Sequence, residues 1–562
     1  MKKILSKLNF TAILLVLLLP SYGQTIVNTK HNLSATGPGT VKATTESQIC
    51  IFCHTPHNAS PRAPLWNKNV FGGTYTLYNS STLNAAPGQP DGNSILCLSC
   101  HDGTIALGSV LSRAAAISMT GAMPTSRNLT TDLSNDHPVS FLYNAALATA
   151  DGQLKTPPLT TVKLDHNSKL QCTSCHDSHS AANPSFLRAS QLNSALCFLC
   201  HNRNYWVEST HSTSTKTWNA AGTNPWAHVI TPLSNVSQNA CANCHDQHNA
   251  VGKLRLLKSA AEENNCLDCH NGNVAAKNIQ AQFAKINKHN VAGYLGIHDP
   301  VEATSVTTKH VECQDCHNPH ASNAATAAAP FVNGFNRGVS GINQSGTAVA
   351  VATNTYEICY KCHAGNSLTP ANFPRVLVQN NVRLEFATNN PSFHPVVGAR
   401  NNPDVVPNLI APNTATTVLY CTSCHASDGT GSPSGPHGST FPHILKLQFN
   451  TISYANGINV PESAQNYALC YSCHNRANII SGINSFSKHP KHTAKVSCNV
   501  CHDPHGISST QGTSVNHSNL INFRTDIITP DRNGILKYVD TGLRTGECYL
   551  TCHGRDHSPR TY

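Results

Sequence analysis

Methionine, charged side chains and long apolar runs are all scarce in this sequence of 562 residues. It contains three methionines, and charged residues make up 12% of it and aromatic residues 6%. Beyond the first two dozen residues, no stretch approaches the roughly 18 apolar residues that a membrane-spanning helix needs. The 34 glycines and 32 prolines, with many Asn, Ser and Thr, favour turns over long elements. We therefore predict mostly irregular backbone with short α-helices, little β structure and no transmembrane segment.

The first 23 residues, MKKILSKLNFTAILLVLLLPSYG, have the pattern of a secretory signal peptide. Lys2, Lys3 and Lys7 give a basic start, an apolar run ends near Pro20, and the small residue Gly23 precedes the expected cleavage site. We expect residues 1–23 to be removed and the mature chain to be secreted, either to the periplasm or to the cell surface and extracellular space.

All 24 cysteines occur in twelve pairs, and a histidine directly follows each pair. Eleven pairs read C-x-x-C-H, whereas the twelfth, CYLTCH, has one more residue between its cysteines. The pairs are Cys50 and Cys53, Cys97 and Cys100, Cys172 and Cys175, Cys197 and Cys200, Cys241 and Cys244, Cys266 and Cys269, Cys313 and Cys316, Cys359 and Cys362, Cys421 and Cys424, Cys470 and Cys473, Cys498 and Cys501, and Cys548 and Cys552. The histidines that follow them are His54, His101, His176, His201, His245, His270, His317, His363, His425, His474, His502 and His553.

C-x-x-C-H is the attachment signature of c-type haem. The two thiols form thioethers to one porphyrin, and the adjacent imidazole is the proximal ligand of its iron. Zinc sites and disulfides also use cysteine pairs, but neither requires a histidine after every second cysteine. We therefore predict twelve covalently bound haem c groups, one for about 45 residues of the mature chain. So short a segment cannot build a side-chain core of its own, and we expect the porphyrins to form the core.

The formal net charge of +10 would ordinarily suggest a nucleic acid or an anionic membrane as partner. Here the haem propionates offset the positive excess, and no basic run carries interleaved aromatic residues. We expect no nucleic-acid partner.

The motifs alternate along the chain, which indicates a repeat. Sites one, three, five, seven and eleven continue as C-x-x-C-H-x-x-H, whereas sites two, four, six, eight and ten lack that second histidine. Between the two motifs of most units an apolar pair accompanies a base suited to a propionate, at Arg188, Lys258, Arg337, Lys446 or Arg524. We predict six two-haem units, at residues 24–130, 131–210, 211–285, 286–375, 376–485 and 486–562, and a strand or hairpin within residues 375–386.

This alternation, with intervening H-P-V elements such as NDHPVS and SFHPVV, resembles the doubled-motif multihaem cytochromes c of metal-reducing and related bacteria. These include outer-surface cytochromes, some of which form filaments. The resemblance implies an elongated protein built on a haem chain, with redox-partner cytochromes and an extracellular acceptor such as a metal oxide, an electrode or another cell. It also implies that the histidine three residues after a proximal one is the distal ligand of another haem. Site nine lacks that histidine, and site twelve departs in its spacing.

Distal ligands must come almost entirely from histidine. After the proximal twelve the sequence holds 20 further histidines, but the mature chain has only Met119 and Met123. Bis-histidine haems also have lower potentials than His/Met haems. His492 remains a rival to His489, and His443 to His437. The predicted distal set is His31, His57, His137, His179, His228, His248, His298, His320, His394, His437, His489 and His505.

If every iron has two histidine ligands, no substrate binds the metal, and the protein carries electrons without being an enzyme. The alternative is a multihaem oxidoreductase that reduces nitrite, hydroxylamine or a sulfur oxyanion at one open haem. Such sites often replace the proximal histidine by lysine, and no C-x-x-C-K occurs.

The sequence also raises the hypothesis of head-to-tail filaments. His31 stands on an arm containing SATGPGTV, ahead of the first motif, and could ligate a haem of a neighbouring subunit or of its own. A heterologous contact of the first kind builds an open filament.

Overall fold

The computed structural model describes residues 26–300, 310–365, 373–400, 408–450 and 462–562. The predicted signal peptide lies outside these ranges. Within them the chain is mostly irregular, with short helices and little β structure, which confirms the predicted fold class. No helix in this part of the chain is long and apolar enough to cross a membrane.

The longest α-helix of the described residues has ten residues and contains the second motif. The α-helices are α1 Gly92–His101, α2 Ala145–Asp151, α3 Cys172–Cys175, α4 Thr210–Thr213, α5 Val236–Asn239, α6 Glu262–Leu267, α7 Gln280–Phe283, α8 Cys313–Cys316, α9 Thr355–His363, α10 Val382–Glu385, α11 Ala468–Tyr471, α12 Arg476–Ser481 and α13 His489–Thr493. Single 3-10 turns span Ile26–Asn28, Cys50–Phe52, Thr125–Arg127, Pro184–Phe186, Leu192–Ser194, Cys197–Leu199, Trp206–Glu208, Ala240–Asn243, Leu254–Leu256, Val291–Gly293, Gly334–Asn336, Cys421–Ser423, Pro442–Ile444, Cys498–Val500 and Ser518–Leu520.

The strands pair antiparallel in small sheets. Two-residue strands form the pairs β1–β2, β3–β7, β4–β5 and β6–β8, and the C-terminal strands form a three-stranded sheet in the order β11-β10-β9. The strands are β1 Phe141–Leu142, β2 Lys169–Leu170, β3 Asn287–Lys288, β4 Gly341–Ile342, β5 Ala348–Val349, β6 Ser392–Phe393, β7 Gly438–Ser439, β8 Gly506–Ile507, β9 Lys537–Gly542, β10 Thr545–Cys552 and β11 Arg555–Thr561.

Several motif turns begin with the same side-chain contact. The residue before the first cysteine donates its backbone N–H to the side chain three positions on. The distance is 3.0 Å from Gln171 to Ser174 and 2.8 Å from Glu312 to Asp315. This is one half of a capping box, so the second variable residue of the motif starts its own helical turn.

The buried apolar side chains form small separate clusters. One contains Tyr356, Tyr360, Phe386 and Val396, and another contains only Tyr75, Leu98 and Leu133. Clusters of this size do not make a core for a chain of this length, which agrees with a core completed by porphyrins.

The predicted strand within residues 375–386 is wrong. The Asn381 side chain accepts a hydrogen bond from the Arg383 backbone N–H at 3.1 Å and begins α10 there. Before it, Arg375 makes only an isolated bridge to Arg524. Apolar and polar residues alternate in this segment, but the Asn cap outweighs that pattern.

The chain forms two compact units. Of the described residues, those up to Asn204 and Trp226–Ala260 make the first, with motifs one to five. Tyr205–Pro225 and the residues from Ala261 onward make the second, with motifs six to twelve. The division falls inside the predicted third two-haem unit, and the six-unit boundaries remain predictions.

Candidate haem-binding sites

The eleven C-x-x-C-H motifs each form one helical turn. In α1 and α9 the motif ends a longer helix, and in the others the histidine N–H donates to the carbonyl of the first cysteine at 2.8–3.0 Å. Residues three apart on such a turn face the same side, with about 5–6 Å between their Cβ atoms. Both thiols can therefore reach one porphyrin, with the following imidazole beside them.

The twelfth motif has a different backbone. Cys548 and Cys552 lie on β10, where residues four apart share a face and are about 13 Å apart. His553 follows with a φ of 51°. An extended strand does not fit two thioethers to one porphyrin, so attachment here requires residues 548–552 to close into a turn.

Ten proximal imidazoles have a second imidazole at the spacing that one shared iron requires. With a metal–nitrogen bond of about 2 Å, two axial rings on one metal have centroids about 6.3 Å apart. The observed centroid distances are 6.1–6.5 Å. The pairs, proximal ring first, are His101 and His31, His54 and His179, His201 and His137, His176 and His248, His270 and His211, His363 and His289, His317 and His437, His474 and His394, His425 and His505, and His502 and His489.

Eight of the ten partner rings belong to the predicted distal set. The other two, His211 beside His270 and His289 beside His363, lie outside that set. The Nε2 atom of His228 lies 2.9 Å from the Ala242 carbonyl.

Spacing was the signal that could have found the two missed residues. For the haems of motifs two, four, six, eight and ten, the partner ring precedes the first cysteine of the two-haem unit by 19 to 35 residues. His228 and His298 precede it by only 13 and 15, whereas His211 and His289 precede it by 30 and 24. The H-P-V similarity outweighed this spacing in the prediction.

The other predicted distal residues lie in different surroundings. His57 is exposed. The Nδ1 atom of His298 is 3.7 Å from an Asp315 carboxylate oxygen, and the ring of His320 lies 6.2 Å from that of Trp206. The distal ligands of the haems at His245 and His553 remain predictions.

Backbone carbonyls fix the orientation of many proximal rings. A carbonyl only accepts, so the Nδ1 that faces it carries the proton and leaves Nε2 for the metal. Four of these carbonyls belong to residues with left-handed φ angles of 55–61°, inside the 3-10 turns that precede the predicted bases. The Nδ1–O distances are 2.9 Å for His176 and Ser185, 2.8 Å for His245 and Arg255, 2.8 Å for His425 and His443, and 2.9 Å for His502 and Asn519.

Three of the predicted propionate partners are paired with carboxylates in this structure. Arg188 lies 3.0 Å from Asp177 and Arg524 lies 2.6 Å from Asp526, while Arg337 contacts Glu208. The role of these bases toward propionates remains a prediction.

Burial lowers the pKa of several of the paired imidazoles. Desolvation, followed by the electrostatic effect of His101, lowers the pKa of His31 to about 4. Desolvation likewise lowers the pKa of His201, with His137 the next largest cause, to about 4. Neutral imidazole is the form that binds a metal, so burial favours the ligand state of these rings.

Thiols of consecutive motifs lie beside one another. Hydrogen bonds join Cys97 to Cys172, Cys197 to Cys241 and Cys359 to Cys421, and they raise the pKa of the first thiol of each pair. Electrostatic contacts also join Cys53 to Cys100, Cys175 to Cys200, Cys316 to Cys359, Cys424 to Cys473 and Cys501 to Cys548. With Cys470 beside Cys498, successive attachment points are therefore neighbours from site one to site five and from site seven to site twelve.

Two protein-family models match parts of the chain. The model for outer membrane cytochromes of the MtrC/MtrF-like kind, domains II/IV, matches residues 233–391. The model for the doubled CXXCH motif matches residues 166–204 and 411–478.

Curated relatives include the C-type polyheme cytochrome OmcB from two strains of Geobacter sulfurreducens. Each is 24% identical over 511 residues, which cover 79% of this chain and 61% of the relative. The chain thus spans about three fifths of the length of the curated relatives it matches. These matches confirm the resemblance that the motifs predict, and the chain is a multihaem c-type cytochrome related to the outer-surface cytochromes.

Proposed function

We propose that the chain carries electrons over a long distance through a row of bis-histidine haems. The observation that supports this most directly is the set of ten imidazole pairs at 6.1–6.5 Å. An iron held between two such rings has no position for a substrate, and bound haem would supply one-electron chemistry. The chain's own part is to hold each porphyrin by two thioethers and to orient the axial rings.

The proposed haem count is twelve. The eleven C-x-x-C-H motifs already form the helical turn that attachment needs. Attachment of the twelfth haem would require residues 548–552 of β10 to form a turn instead of a strand. Neighbouring thiols along sites one to five and along sites seven to twelve favour short steps between successive haems within each unit.

We further propose that the protein acts outside the cytoplasm. The signal-peptide pattern and the relation to outer membrane cytochromes support secretion to the cell surface or periplasm. Its partners would then be other cytochromes and an extracellular acceptor such as a metal oxide, an electrode or another cell.

Optical and magnetic spectra of the holoprotein test the electron-carrier proposal. The oxidised protein should show low-spin signals only, and the reduced protein should bind little carbon monoxide. A five-coordinate signal together with turnover of nitrite or hydroxylamine would replace the proposal with the multihaem oxidoreductase.

We also propose head-to-tail assembly, with His57 rather than His31 as the candidate ligand between subunits. His31 lies 6.3 Å from His101 of its own chain. By contrast, three histidines at the last position of C-x-x-C-H-x-x-H, which His57 also occupies, lie beside the proximal ring of the preceding odd-numbered motif. They are His179 beside His54, His248 beside His176, and His505 beside His425. His57 is the corresponding histidine of the first motif, and it is exposed.

A pair of variants tests this assembly by electron microscopy and sedimentation. His57→Ala should abolish self-association and leave one haem of each chain without its distal ligand, while all haems stay attached. His31→Ala should also open one haem of each chain but leave assembly in place. A monomeric wild type, or His57→Ala filaments like those of the wild type, would contradict the assembly proposal.

A further inference from the structure

Two distal imidazoles donate to buried carboxylates rather than to backbone carbonyls. The Nδ1 atom of His248 lies 3.0 Å from Oδ1 of Asp136, and that of His505 lies 2.9 Å from Oε2 of Glu385. Asp136 is 3% exposed and Glu385 is 7% exposed. In the proposed scheme these rings serve the haems at His176 and His425.

The haem that follows each of these two has a different acceptor. His137, beside His201, has its Nδ1 3.0 Å from the Pro138 carbonyl, and His394, beside His474, faces the Pro504 carbonyl. Each compact unit therefore places a carboxylate-backed site next to a carbonyl-backed site in the sequence of motifs.

We propose that Asp136 and Glu385 are positioning residues that hold the reduction potentials of the haems at His176 and His425 below those of the haems at His201 and His474. This inference rests on the proposed bis-histidine ligation. A carboxylate that accepts the Nδ1 proton makes the imidazole a more basic ligand. A more basic ligand and a fixed negative charge both favour the ferric over the ferrous iron, because reduction adds one electron to the site.

At the second site, the Glu385 carboxyl is buried and its Oε2 lies 2.9 Å from Nδ1 of His505. The Arg375 guanidinium, whose Nε lies 3.4 Å from Asp503, also interacts electrostatically with Glu385. At the other site, Asp136 directly precedes His137, so one dipeptide supports the distal ligands of two successive haems.

The consequence is an uneven path for electrons. Each compact unit contains one site that is harder to reduce than the next, so an electron moves downhill from that site to the next and uphill in the reverse direction. These steps would limit how long an electron remains at the two carboxylate-backed sites.

Single neutralising substitutions test the proposal on the full holoprotein. Asp136→Asn and Glu385→Gln each keep a hydrogen-bond acceptor of similar shape but remove the charge. The matched controls are Asp177→Asn and Asp503→Asn, because these carboxylates directly follow the proximal His176 and His502 and contact neither distal ring. Spectroelectrochemical titration should show one haem step per chain moving to higher potential in each test variant, and by more than in its control. Asp136→Glu should return the step toward the wild-type position.

Equal shifts in the test and control variants would reduce the effect to general charge and overturn the proposal, as would unshifted titrations. The spectra of the same samples separate this failure from that of the proposed function. A low-spin wild type with unshifted variants would refute only the role of the carboxylates, whereas a high-spin wild type would refute the ligation itself. The two sites lie in different units, so loss of folding in one variant leaves the other as a complete test.

Discussion

Removal of the His211 imidazole should open one haem in each chain. The ring lies 6.1 Å from that of His270, and its Nδ1 is 2.9 Å from the Pro319 carbonyl. His211→Ala should therefore convert one of the twelve predicted haems to a five-coordinate site that binds one carbon monoxide. The lost hydrogen bond alone should lower the free energy of unfolding by about 0.5–1.5 kcal/mol.

His228→Ala is the matched control for this change. His228 also loses a single ring-to-carbonyl hydrogen bond of 2.9 Å, to Ala242, so its cost in stability should be similar. It should leave the haem at His270 six-coordinate, because its ring is not the one beside His270. Electron paramagnetic resonance and carbon monoxide titration distinguish the two variants. A carbon monoxide site in His228→Ala and none in His211→Ala would refute the ligand assignment.

Three further predictions follow from single features. Intact mass of the mature holoprotein should exceed that of the polypeptide by twelve haems, and a mass of eleven haems with two free thiols at Cys548 and Cys552 would show that β10 persists in place of the twelfth site. Desolvation lowers the pKa values of histidines such as His31 and His201 to about 4, so between pH 4 and about 6.5 these side chains take up protons only when the protein unfolds. The free energy of unfolding should therefore be at its full value above pH 6.5 and fall as the pH drops toward 4. A denaturation midpoint that does not change with pH in that window would contradict this prediction. Asn144→Ala removes the cap whose side chain accepts from the Leu147 N–H at 2.9 Å and should cost about 0.5–2 kcal/mol in chemical denaturation, with Thr149→Ala, on the same helix, as the milder control.

The attachment turns could be predicted from sequence because their chemistry is local. A C-x-x-C-H run contains both thiols and the imidazole within five residues, and a Ser or Asp such as Ser174 or Asp315 starts its helical turn. The scarcity of aromatic and charged residues, with plentiful Gly and Pro, was likewise enough to predict a fold of turns and short helices. These features depend on composition and near neighbours, not on long-range contacts.

The distal rings are positioned by long-range contacts, and the spacing ahead of each motif only narrows the choice among histidines. His289 reaches His363 across 74 positions, and the segment before it pairs through β3 with β7, which directly follows His437. Likewise β6, just before His394, pairs with β8, just after His505. Local similarity to H-P-V favoured His298, although the register of a two-residue sheet positions His289. Short sheets of this kind carry almost no signal in the sequence.

A cryo-electron-microscopy map of the haem-loaded protein, at a resolution that shows axial ligands, tests the central claim most directly. The account predicts one iron between the two imidazoles of each of the ten pairs, including His211 with His270 and His289 with His363. A haem at any of these sites with one open face, or with the paired ring turned away from its iron, would contradict it.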